Sequence, residues 1–360
     1  VGLPNVGKST LFNALTKAGA AVASYPFTTI DPNVGVVEVP DPRLHAVSAI
    51  VQPKEVKPTT VDFVDIAGLV KGAHKGEGLG NQFLGHIRNV DAIGLVVRCF
   101  QDPDVAHVTA ELDPLADSEV IDLELLLADV ATVERRQEKV QSAAKAQPKA
   151  SAGELSLLAR LREHLEGGHL AAAFEMTEKE AELLAPLNRL TGKPRLYIAN
   201  VSESDLPDGG PLAELVRERA RAEGTQAVVI SAQMDADLTE WSDEEAKEYR
   251  TDLGLDASGL ERLIHAGYAL LNLVTFFTAT GTKVVRAWTL QRGQTAWQAA
   301  GKVHTDMQRG FIRAEVVSYG DLMTAGDFAA ARERGVLRLE GRDYVVQDGD
   351  IIHIRFSPPR

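Results

Sequence analysis

The chain has 360 residues, of which 44% are hydrophobic and 25% are charged, proportions typical of a soluble globular protein. A net charge of −13 argues against indiscriminate nucleic-acid binding, and no apolar run approaches the roughly eighteen residues of a membrane helix. The single cysteine, Cys99, follows an apolar segment, which favours a core thiol in a reducing compartment over a disulfide framework or a cysteine-rich zinc site. A chain of this length is expected to form about two or three domains.

The beginning of the chain predicts a phosphate-binding loop. Residues 2–9 read GLPNVGKS and fit the pattern G-x-x-x-x-G-K-[ST] without a gap. In such a loop the backbone N–H groups surround the α- and β-phosphates, Lys8 reaches the β- and γ-phosphates, and the Ser9 hydroxyl binds Mg²⁺. A helix from Thr10 onward would place its positive N-terminal end under the phosphates. Only Val1 represents the buried strand that should precede the loop, so we expect at least part of that strand to lie upstream of this numbering.

Short apolar strands alternate with helices through the first part of the chain. This alternation after a phosphate-binding loop predicts a mostly parallel sheet with helices on both faces. The candidate strands are Val34–Val39, Thr60–Asp65 and Ile93–Val97.

Two segments of this region predict contacts with the γ-phosphate and Mg²⁺. Asp65 ends a candidate strand in the sequence DIAG, where its carboxylate can hold Mg²⁺ through a water and the Gly68 N–H can reach the γ-phosphate. Thr29 can complete the Mg²⁺ shell when a γ-phosphate is present, which would make its loop a switch; an ordinary loop threonine is the alternative. Leu69 stands where Ras-type GTPases place a water-orienting Gln, so hydrolysis should be slow unless another group orients the water.

A change of pattern near residue 113 predicts a helical insertion that ends near residue 190. Apolar residues recur there at three- and four-residue spacing in two groups, separated by a polar stretch with Pro148 and Gly153. This pattern predicts two long helices in an antiparallel hairpin, held together by the apolar stripes and leaving exposed faces for a partner. The spaced residues are Leu123, Leu127, Val130, Val133, Leu155, Leu158, Leu161 and Leu165.

Strand patterns resume at Arg195–Asn200 and Ala227–Ser231, and the first of these leads into an altered base-recognition motif. A guanine-specific site uses Asn-Lys-x-Asp, whose carboxylate accepts hydrogen bonds from N1–H and the N2 amino group. Here Val201 replaces the Lys and Glu203 replaces the Asp. Adenine has an acceptor at N1 and a donor at N6, so the motif predicts a relaxed or switched base preference that favours ATP. A GTPase with a tolerated variant is the alternative. The pair Ser231-Ala232 resembles the last base-contacting loop of such domains.

The C-terminal part of the chain predicts a compact α+β module. A helix over Gly259–Leu273 precedes it, and another is expected around Thr295–Val303. The segment 275–356 carries 11 basic and 9 acidic residues, a net charge of +2, whereas residues 1–274 carry −16. The C-terminal segment is therefore the better candidate for contact with an anionic partner. Its candidate strands are Val284–Leu290, Ala314–Val317, Tyr344–Val346 and Ile351–Ile354.

Taken together, these motifs resemble the Obg-like ATPases of the YchF type, a branch of the translation-factor-related P-loop NTPases. The resemblance implies an α/β P-loop G domain with a mostly parallel sheet, an inserted helical hairpin and a C-terminal α+β, ubiquitin-like TGS domain. The expected boundaries are 1–112 and 191–273 for the G domain, 113–190 for the hairpin and 274–357 for the TGS domain. The motifs that carry the resemblance are GLPNVGKST (2–10), YPFTTI (25–30), DIAGLVKGA (65–73), GEGLGN (76–81), NVSE (200–203), FFTA (276–279), VRAWT (285–289) and GDII (349–352).

The resemblance also implies an activity. Such a protein is a cytoplasmic molecular switch that binds ATP, hydrolyses it slowly to ADP and associates with the ribosome through its large subunit. Neither membrane binding nor DNA sequence recognition is expected. The alternatives are a GTPase of the same fold and a scaffold that binds nucleotide without turnover. The implied nucleotide-binding residues are Asn5, Val6, Gly7, Lys8, Ser9, Thr10, Asn200, Val201, Glu203, Ser231 and Ala232.

The expected metal and catalytic residues follow from the same motifs. Mg²⁺ is expected at Ser9 and Thr29, and at Asp65 through a water. Lys8 and Gly68 are expected to act on the γ-phosphate. An Asn at the position of Asn5 binds K⁺ in several related NTPases that lack the Gln, so K⁺ is a hypothesis here.

A histidine is the candidate to replace the missing Gln. His107 matches a family position that follows the fourth strand, where an imidazole can position or deprotonate water. A surface or capping histidine is the alternative. His74 is a weaker rival within the glycine-containing segment after Gly68.

Overall fold

The computed structural model describes residues 1–22, 33–66, 79–102, 112–144, 148–281 and 283–357. The chain divides into two compact units. The first unit comprises Val1–Ala18, Val22–Gly35 and Phe63–Leu263; the second comprises Gly19–Ala21, Val36–Asp62 and Ile264–Arg360.

Both units contain helices and strands. The α-helices are α1 (Lys8–Gly19), α2 (Pro42–Val51), α3 (Leu79–Arg88), α4 (Pro114–Ala144), α5 (Pro148–Glu166), α6 (Glu178–Leu184), α7 (Gly210–Ala222), α8 (Ala232–Leu238), α9 (Asp243–Asp252), α10 (Gly259–Leu270), α11 (Ala296–Val303), α12 (Thr305–Arg309), α13 (Tyr319–Ala325) and α14 (Phe328–Glu333). The strands are β1 (Ala20–Val22), β2 (Asn33–Glu38), β3 (Glu55–Lys57), β4 (Thr60–Asp65), β5 (Ile93–Arg98), β6 (Arg195–Asn200), β7 (Ala227–Ile230), β8 (Leu273–Thr280), β9 (Val284–Gln291), β10 (Phe311–Ser318), β11 (Arg338–Glu340) and β12 (Asp350–Phe356). The sheet orders are β1-β2-β4, β5-β6-β7 and β11-β10-β12-β8-β9-β3. None of the described helices is long and apolar enough to cross a membrane.

The sheet β5-β6-β7 is parallel, as the strand–helix alternation predicts. Ile93 pairs with Arg195 and the register continues to Arg98 beside Asn200, which in turn pairs with Ile230. β5 and β6 are buried along nearly their whole length, as expected when helices cover both faces of a parallel sheet. Because parallel strands end at one edge, the residues that follow β5, β6 and β7 lie next to one another.

The chain before the phosphate-binding loop joins this arrangement at β5. The Val1 amino group donates to the Gly94 carbonyl oxygen at 2.8 Å, and the Val96 N–H donates to the Val1 carbonyl oxygen at 2.8 Å. The loop therefore begins beside β5.

The two long helices predicted for the insertion are α4 and α5. Their shared core contains Val133, Leu158, Leu161 and Leu165, with further apolar residues packed against it. The predicted stripe is wrong at Leu123, whose side chain is 55% exposed. Near its start α4 packs against β5 and α7, so a different face of the helix is buried there. The additional members of the shared core are Leu126, Val140, Leu157, Ala171, Phe174, Leu184 and Leu187.

Buried carboxylates fasten α4 to the chain that enters β6. Asp129 accepts hydrogen bonds at 2.8 Å from the N–H groups of both Leu190 and Thr191. Asp122 accepts one at 2.8 Å from the Arg195 guanidinium, at the first residue of β6. Burial raises the pKa of both carboxyls, and these hydrogen bonds oppose the rise. The position of β6, and of the residues at its end, thus depends on the helical insertion.

The second unit is built on the six-stranded sheet. β8 and β9 form an antiparallel pair, β12 runs parallel to β8, and β10 and β12 are antiparallel. One face of the sheet packs against α11, and the other packs against α2, α13 and α14.

Residues 36–62 add two elements to the second unit, α2 and β3, that we did not predict from the sequence. Leu44 and Val47 of α2 pack in the same core as Phe277, and β3 lies parallel to β9 at the sheet edge. Arg43 donates at 2.7 Å to Asp348 within the same unit. The side chains of α2 therefore complete a core whose strands come from the C-terminal part of the chain.

One predicted strand of the second unit is wrong. Residues 344–346 form only an isolated bridge, in which Val345 pairs with Thr295. The Val346 N–H donates to the Gln294 carbonyl oxygen, and the Ala296 N–H donates to the Tyr344 carbonyl oxygen. Because the partner segment becomes helix α11 at Ala296, the ladder has no strand along which to extend.

Candidate nucleotide-binding site

The phosphate-binding loop precedes α1, whose first residue is Lys8. Asn5 and Gly7 adopt positive φ angles of 62° and 93°, which turn the loop sharply. A Cβ at position 7 would lie 2.2 Å from the Asn200 amide nitrogen, so only glycine fits there. A Cβ at position 2 would lie 2.6 Å from the Val96 carbonyl oxygen, so the first glycine of the motif allows the close approach to β5.

Lys8 and Ser9 lie at the N-terminal end of α1. The Lys8 ammonium donates to the Leu3 carbonyl oxygen at 2.6 Å, within the loop itself. Burial lowers the pKa of Lys8, and the nearby Asp65 carboxylate at the end of β4 opposes that shift. Ser9 is exposed. The loop, a cation, a hydroxyl and a helix N-terminus are thus gathered as an anionic phosphate chain requires.

Asn200 connects three parts of the site. Its side-chain nitrogen donates to the Val6 carbonyl oxygen at 2.9 Å, and its side-chain oxygen accepts from the Ala232 N–H at 3.0 Å. The residue is only 4% exposed. The end of β6 therefore fixes the phosphate-binding loop relative to the start of α8.

Glu203 is exposed and begins a short 3₁₀ turn that ends at Asp205. Its carboxylate accepts a hydrogen bond from the Tyr249 hydroxyl, an interaction that raises the pKa of Tyr249. Tyr249 lies on α9, whose start is fixed by a capping box between Ser242 and Glu245. The side chain in the place of a guanine-reading Asp is therefore held by a neighbouring helix.

A cavity of 510 Å³ opens between these elements. Of the eleven nucleotide-binding residues that the sequence predicts, all line this cavity except Val6. The Val6 side chain is buried, and the residue contributes instead the carbonyl oxygen that accepts from Asn200. The predicted residues that line the cavity are Asn5, Gly7, Lys8, Ser9, Thr10, Asn200, Val201, Glu203, Ser231 and Ala232.

Six further residues line the cavity although the sequence does not single them out. Phe100, Gln101 and Asp102 follow β5 and reach the cavity because β5 pairs with β6, which places Arg98 at the end of β5 beside Asn200. The pairing of β5 with β6 is therefore the signal that identifies them. The six residues are Phe100, Gln101, Asp102, Ser202, Gln233 and Met234.

Arg98 shapes the segment that follows β5. This buried guanidinium donates through Nε to the Phe100 carbonyl oxygen at 3.1 Å and lies 4.6 Å from the centre of the Phe100 ring. It also donates to the Asp102 carbonyl oxygen at 3.4 Å. The buried Arg98 guanidinium thus fixes the backbone of Phe100 and Asp102, which line one side of the cavity.

Several predicted residues lie outside the described part of the chain. They are Thr29, Gly68, Leu69, His74 and His107, so their roles stay predictions.

The described residues offer few metal ligands. Among them, no group of three or more His, Cys, Asp or Glu residues could hold a metal ion. Ser9 follows Lys8 in the chain, and the Asp65 carboxylate lies near the Lys8 ammonium. Mg²⁺ characteristically takes one or two protein ligands together with phosphate oxygens and water. This donor set therefore fits a Mg²⁺ ion that arrives with a nucleotide.

The predicted core thiol is confirmed, since Cys99 is buried and burial raises its pKa to about 12.

Comparison with known proteins identifies the family of the chain. A family model described as a 50S ribosome-binding GTPase matches residues 1–128, and the model YchF-GTPase_C, described as a protein of unknown function (DUF933), matches residues 273–357. The ribosome-binding ATPase YchF of Bacillus subtilis is 51% identical over 359 residues, which cover 99% of this chain and 98% of that protein. The ribosome-binding ATPase YchF of Haemophilus influenzae is 51% identical over 357 residues, with the same coverage.

A solved structure agrees in fold. That of the Schizosaccharomyces pombe YchF GTPase is 37% identical, has a TM-score of 0.87, and covers 99% of this chain and 96% of its own. The predicted fold class, a P-loop α/β domain with a C-terminal α+β domain, is confirmed by these matches. With such identity along its whole length, the chain belongs to the YchF family.

Proposed function

We propose that this protein is a slow, Mg²⁺-dependent ATPase that acts as a molecular switch on the ribosome. The observation that carries the proposal is a cavity lined by both the phosphate-binding loop and the loops after β6 and β7. Relatives at 51% identity are named ribosome-binding ATPases, which supports the same activity and partner here.

The phosphate chain binds at the N-terminal end of α1. Backbone N–H groups of residues 5–10 surround it, and the Lys8 ammonium exchanges the Leu3 carbonyl oxygen for phosphate oxygens. The Ser9 hydroxyl and, through a water, the Asp65 carboxylate would hold Mg²⁺, which would offset charge on the phosphates.

Two segments beyond the described residues respond to the γ-phosphate in this scheme. Thr29 would complete the set of protein groups that hold Mg²⁺, and the Gly68 N–H would donate to a γ-phosphate oxygen. Both contacts depend on the γ-phosphate, so hydrolysis releases the two segments and changes the state of the switch.

The base lies against the loops after β6 and β7, near Val201, Ser231 and Ala232. Glu203 is the residue that we expect to influence whether adenine or guanine binds. One oxygen of its carboxylate already accepts a hydrogen bond from Tyr249, which holds the group toward α9, so a guanine has to compete with that hydroxyl for the orientation of the carboxylate. This competition favours ATP over GTP. The Schizosaccharomyces pombe relative is named a GTPase, so the two affinities need to be compared directly.

Hydrolysis is slow because Leu69 cannot orient the attacking water. His107 is the residue we propose to take that role, and K⁺ at Asn5 would add positive charge beside the phosphates. A comparison of turnover in KCl and in NaCl tests the ion, and equal rates would remove K⁺ from the proposal.

The ribosome reads the nucleotide state through parts of the chain outside the nucleotide site. We propose three domains: a G domain over 1–112 and 191–273, a hairpin over 113–190 and a TGS domain over 274–357. The hairpin and the TGS domain contact the large ribosomal subunit, in the cytoplasm. Nothing in this scheme requires a membrane or a specific DNA sequence.

Single-turnover hydrolysis of γ-labelled ATP, with and without purified ribosomes, tests the proposed activity. We expect slow release of phosphate, and loss of that release in Lys8→Ala, which removes the cation that contacts the β- and γ-phosphates. The absence of cleavage under both conditions would contradict the ATPase and support a scaffold. Co-sedimentation of the same protein with ribosomes tests the partner separately.

A further inference from the structure

One exposed face of the second unit concentrates arginines. In the antiparallel pair β10 and β12, Arg313 lies directly opposite Arg355, and Glu315 lies opposite His353. Alternate residues of a strand point to the same side of a sheet, so these four side chains share one face. Arg332 of α14 reaches the same place, 3.6 Å from the Glu315 carboxylate. We call these five residues the basic face.

The charges of the basic face do not cancel. Glu315 is its one carboxylate, and it forms ion pairs with both Arg355, at 3.2 Å, and Arg332. Within the described residues, Arg313 has no ion-pair partner. Like charges directly opposite each other across two strands destabilise a sheet. Arg313 therefore lies opposite a like charge, and the described residues give it no carboxylate of its own.

The arginine and histidine side chains of the basic face remain open to solvent, whereas the Glu315 side chain is largely buried. Arg313 and His353 are exposed, and the Arg355 side chain is 50% exposed. Leu339 of β11, which lies opposite Glu315, is 60% exposed and adds an apolar position to the same side of the sheet. A surface with three guanidinium groups and an apolar margin is thus available to a partner.

We propose that the basic face binds the phosphodiester backbone of ribosomal RNA, an inference that rests on the proposed ribosome association. Its three guanidinium groups are planar and bind phosphate oxygens in pairs. The segment 275–356 carries a net charge of +2 in a chain whose first 274 residues carry −16, so an RNA is repelled less here than by the rest of the chain. An acidic protein is the other candidate, which the test separates.

Substitution of Arg313 tests the proposal, because this residue has no ion pair to lose within the described fold. We expect Arg313→Ala to weaken binding to purified ribosomes about tenfold and to reduce the dependence of log K on log salt by about one unit. Arg313→Glu should weaken binding further. Both variants remove the repulsion between Arg313 and Arg355, so their unfolding midpoint should be no lower than that of the wild type, and both should keep basal ATP hydrolysis. A purely structural role of Arg313 would instead lower the midpoint together with the ribosome affinity.

The control is Lys302→Ala. Lys302 is exposed on α11, which packs against the opposite face of the sheet, so the variant removes the same charge elsewhere. Wild-type affinity and salt dependence in the Arg313 variants would overturn the proposal, as would an equal effect of Lys302→Ala.

Protein-free ribosomal RNA is the second probe. Weaker binding of Arg313→Glu to this RNA supports the proposal, whereas unchanged RNA binding with reduced ribosome affinity would assign the face to an acidic protein and overturn it. If the wild type fails to bind ribosomes, the proposed function fails instead, and the RNA measurement still decides the basic face.

Discussion

Replacement of Asn200 by Ala removes the two hydrogen bonds that tie the phosphate-binding loop to the start of α8. The variant leaves the Val6 carbonyl oxygen and the Ala232 N–H without their partner in a site where Asn200 itself is 4% exposed. A buried polar group left without a hydrogen bond costs about 1–3 kcal/mol, so two such groups should lower the free energy of unfolding by about 2–6 kcal/mol. Urea unfolding of the nucleotide-free protein measures this change.

The same substitution should weaken ATP binding by about tenfold or more, because the phosphate-binding loop must be ordered without its buried link. An ordering cost of one hydrogen bond, about 1.4 kcal/mol, corresponds to a factor of ten. Asn200→Asp should not restore affinity. Its carboxylate can accept from the Ala232 N–H, but it places an oxygen against the Val6 carbonyl oxygen and donates nothing. Isothermal titration of both variants with Mg·ATP provides the comparison.

Asn13→Ala is the matched control, because Asn13 is exposed on α1. We expect its free energy of unfolding to lie within about 0.5 kcal/mol of the wild type. If Asn200→Ala unfolds and binds ATP as Asn13→Ala does, the account of Asn200 as the link between the loops is refuted.

Two further predictions concern titration and catalysis. Burial raises the pKa of Asp235 to about 6 from an ordinary 3.8, so the folded protein binds an extra proton between these values and its free energy of unfolding falls as pH rises from about 4 to 6. Asp235→Asn should reduce this pH-dependent decrease in the free energy of unfolding by up to about 3 kcal/mol. An unchanged pH profile of urea unfolding would show that Asp235 does not cause the decrease. His107→Ala should lower ATP turnover with little change in ATP affinity; retained turnover would return His107 to a structural role.

Local patterns predict the elements whose sequence and tertiary surroundings agree. The predicted run from Arg195 to Asn200 has the bounds of β6, because a continuous apolar strand ends there in a polar motif. The stripe of the hairpin fails at Leu123, where the start of α4 packs against other partners. The spacing of apolar residues predicts that a helix buries one of its faces, but it does not predict which element that face packs against.

The sequence does not predict contacts between residues that lie far apart along the chain. Tyr249 holds Glu203 from 46 residues away, and Phe100 reaches the cavity because β5 pairs with β6. Residues 36–62 likewise join strands of the C-terminal part of the chain. Each of these depends on strand order or on helix packing, which a motif does not encode.

Competitive titration of the nucleotide-free protein with Mg·ATP and Mg·GTP measures the base preference on which the proposed ATPase activity depends. Tyr249→Phe is the informative variant, because it frees the Glu203 carboxylate to accept from guanine and should narrow the difference between the two affinities. We expect ATP to bind the wild type more tightly than GTP. Tighter binding of GTP would contradict it.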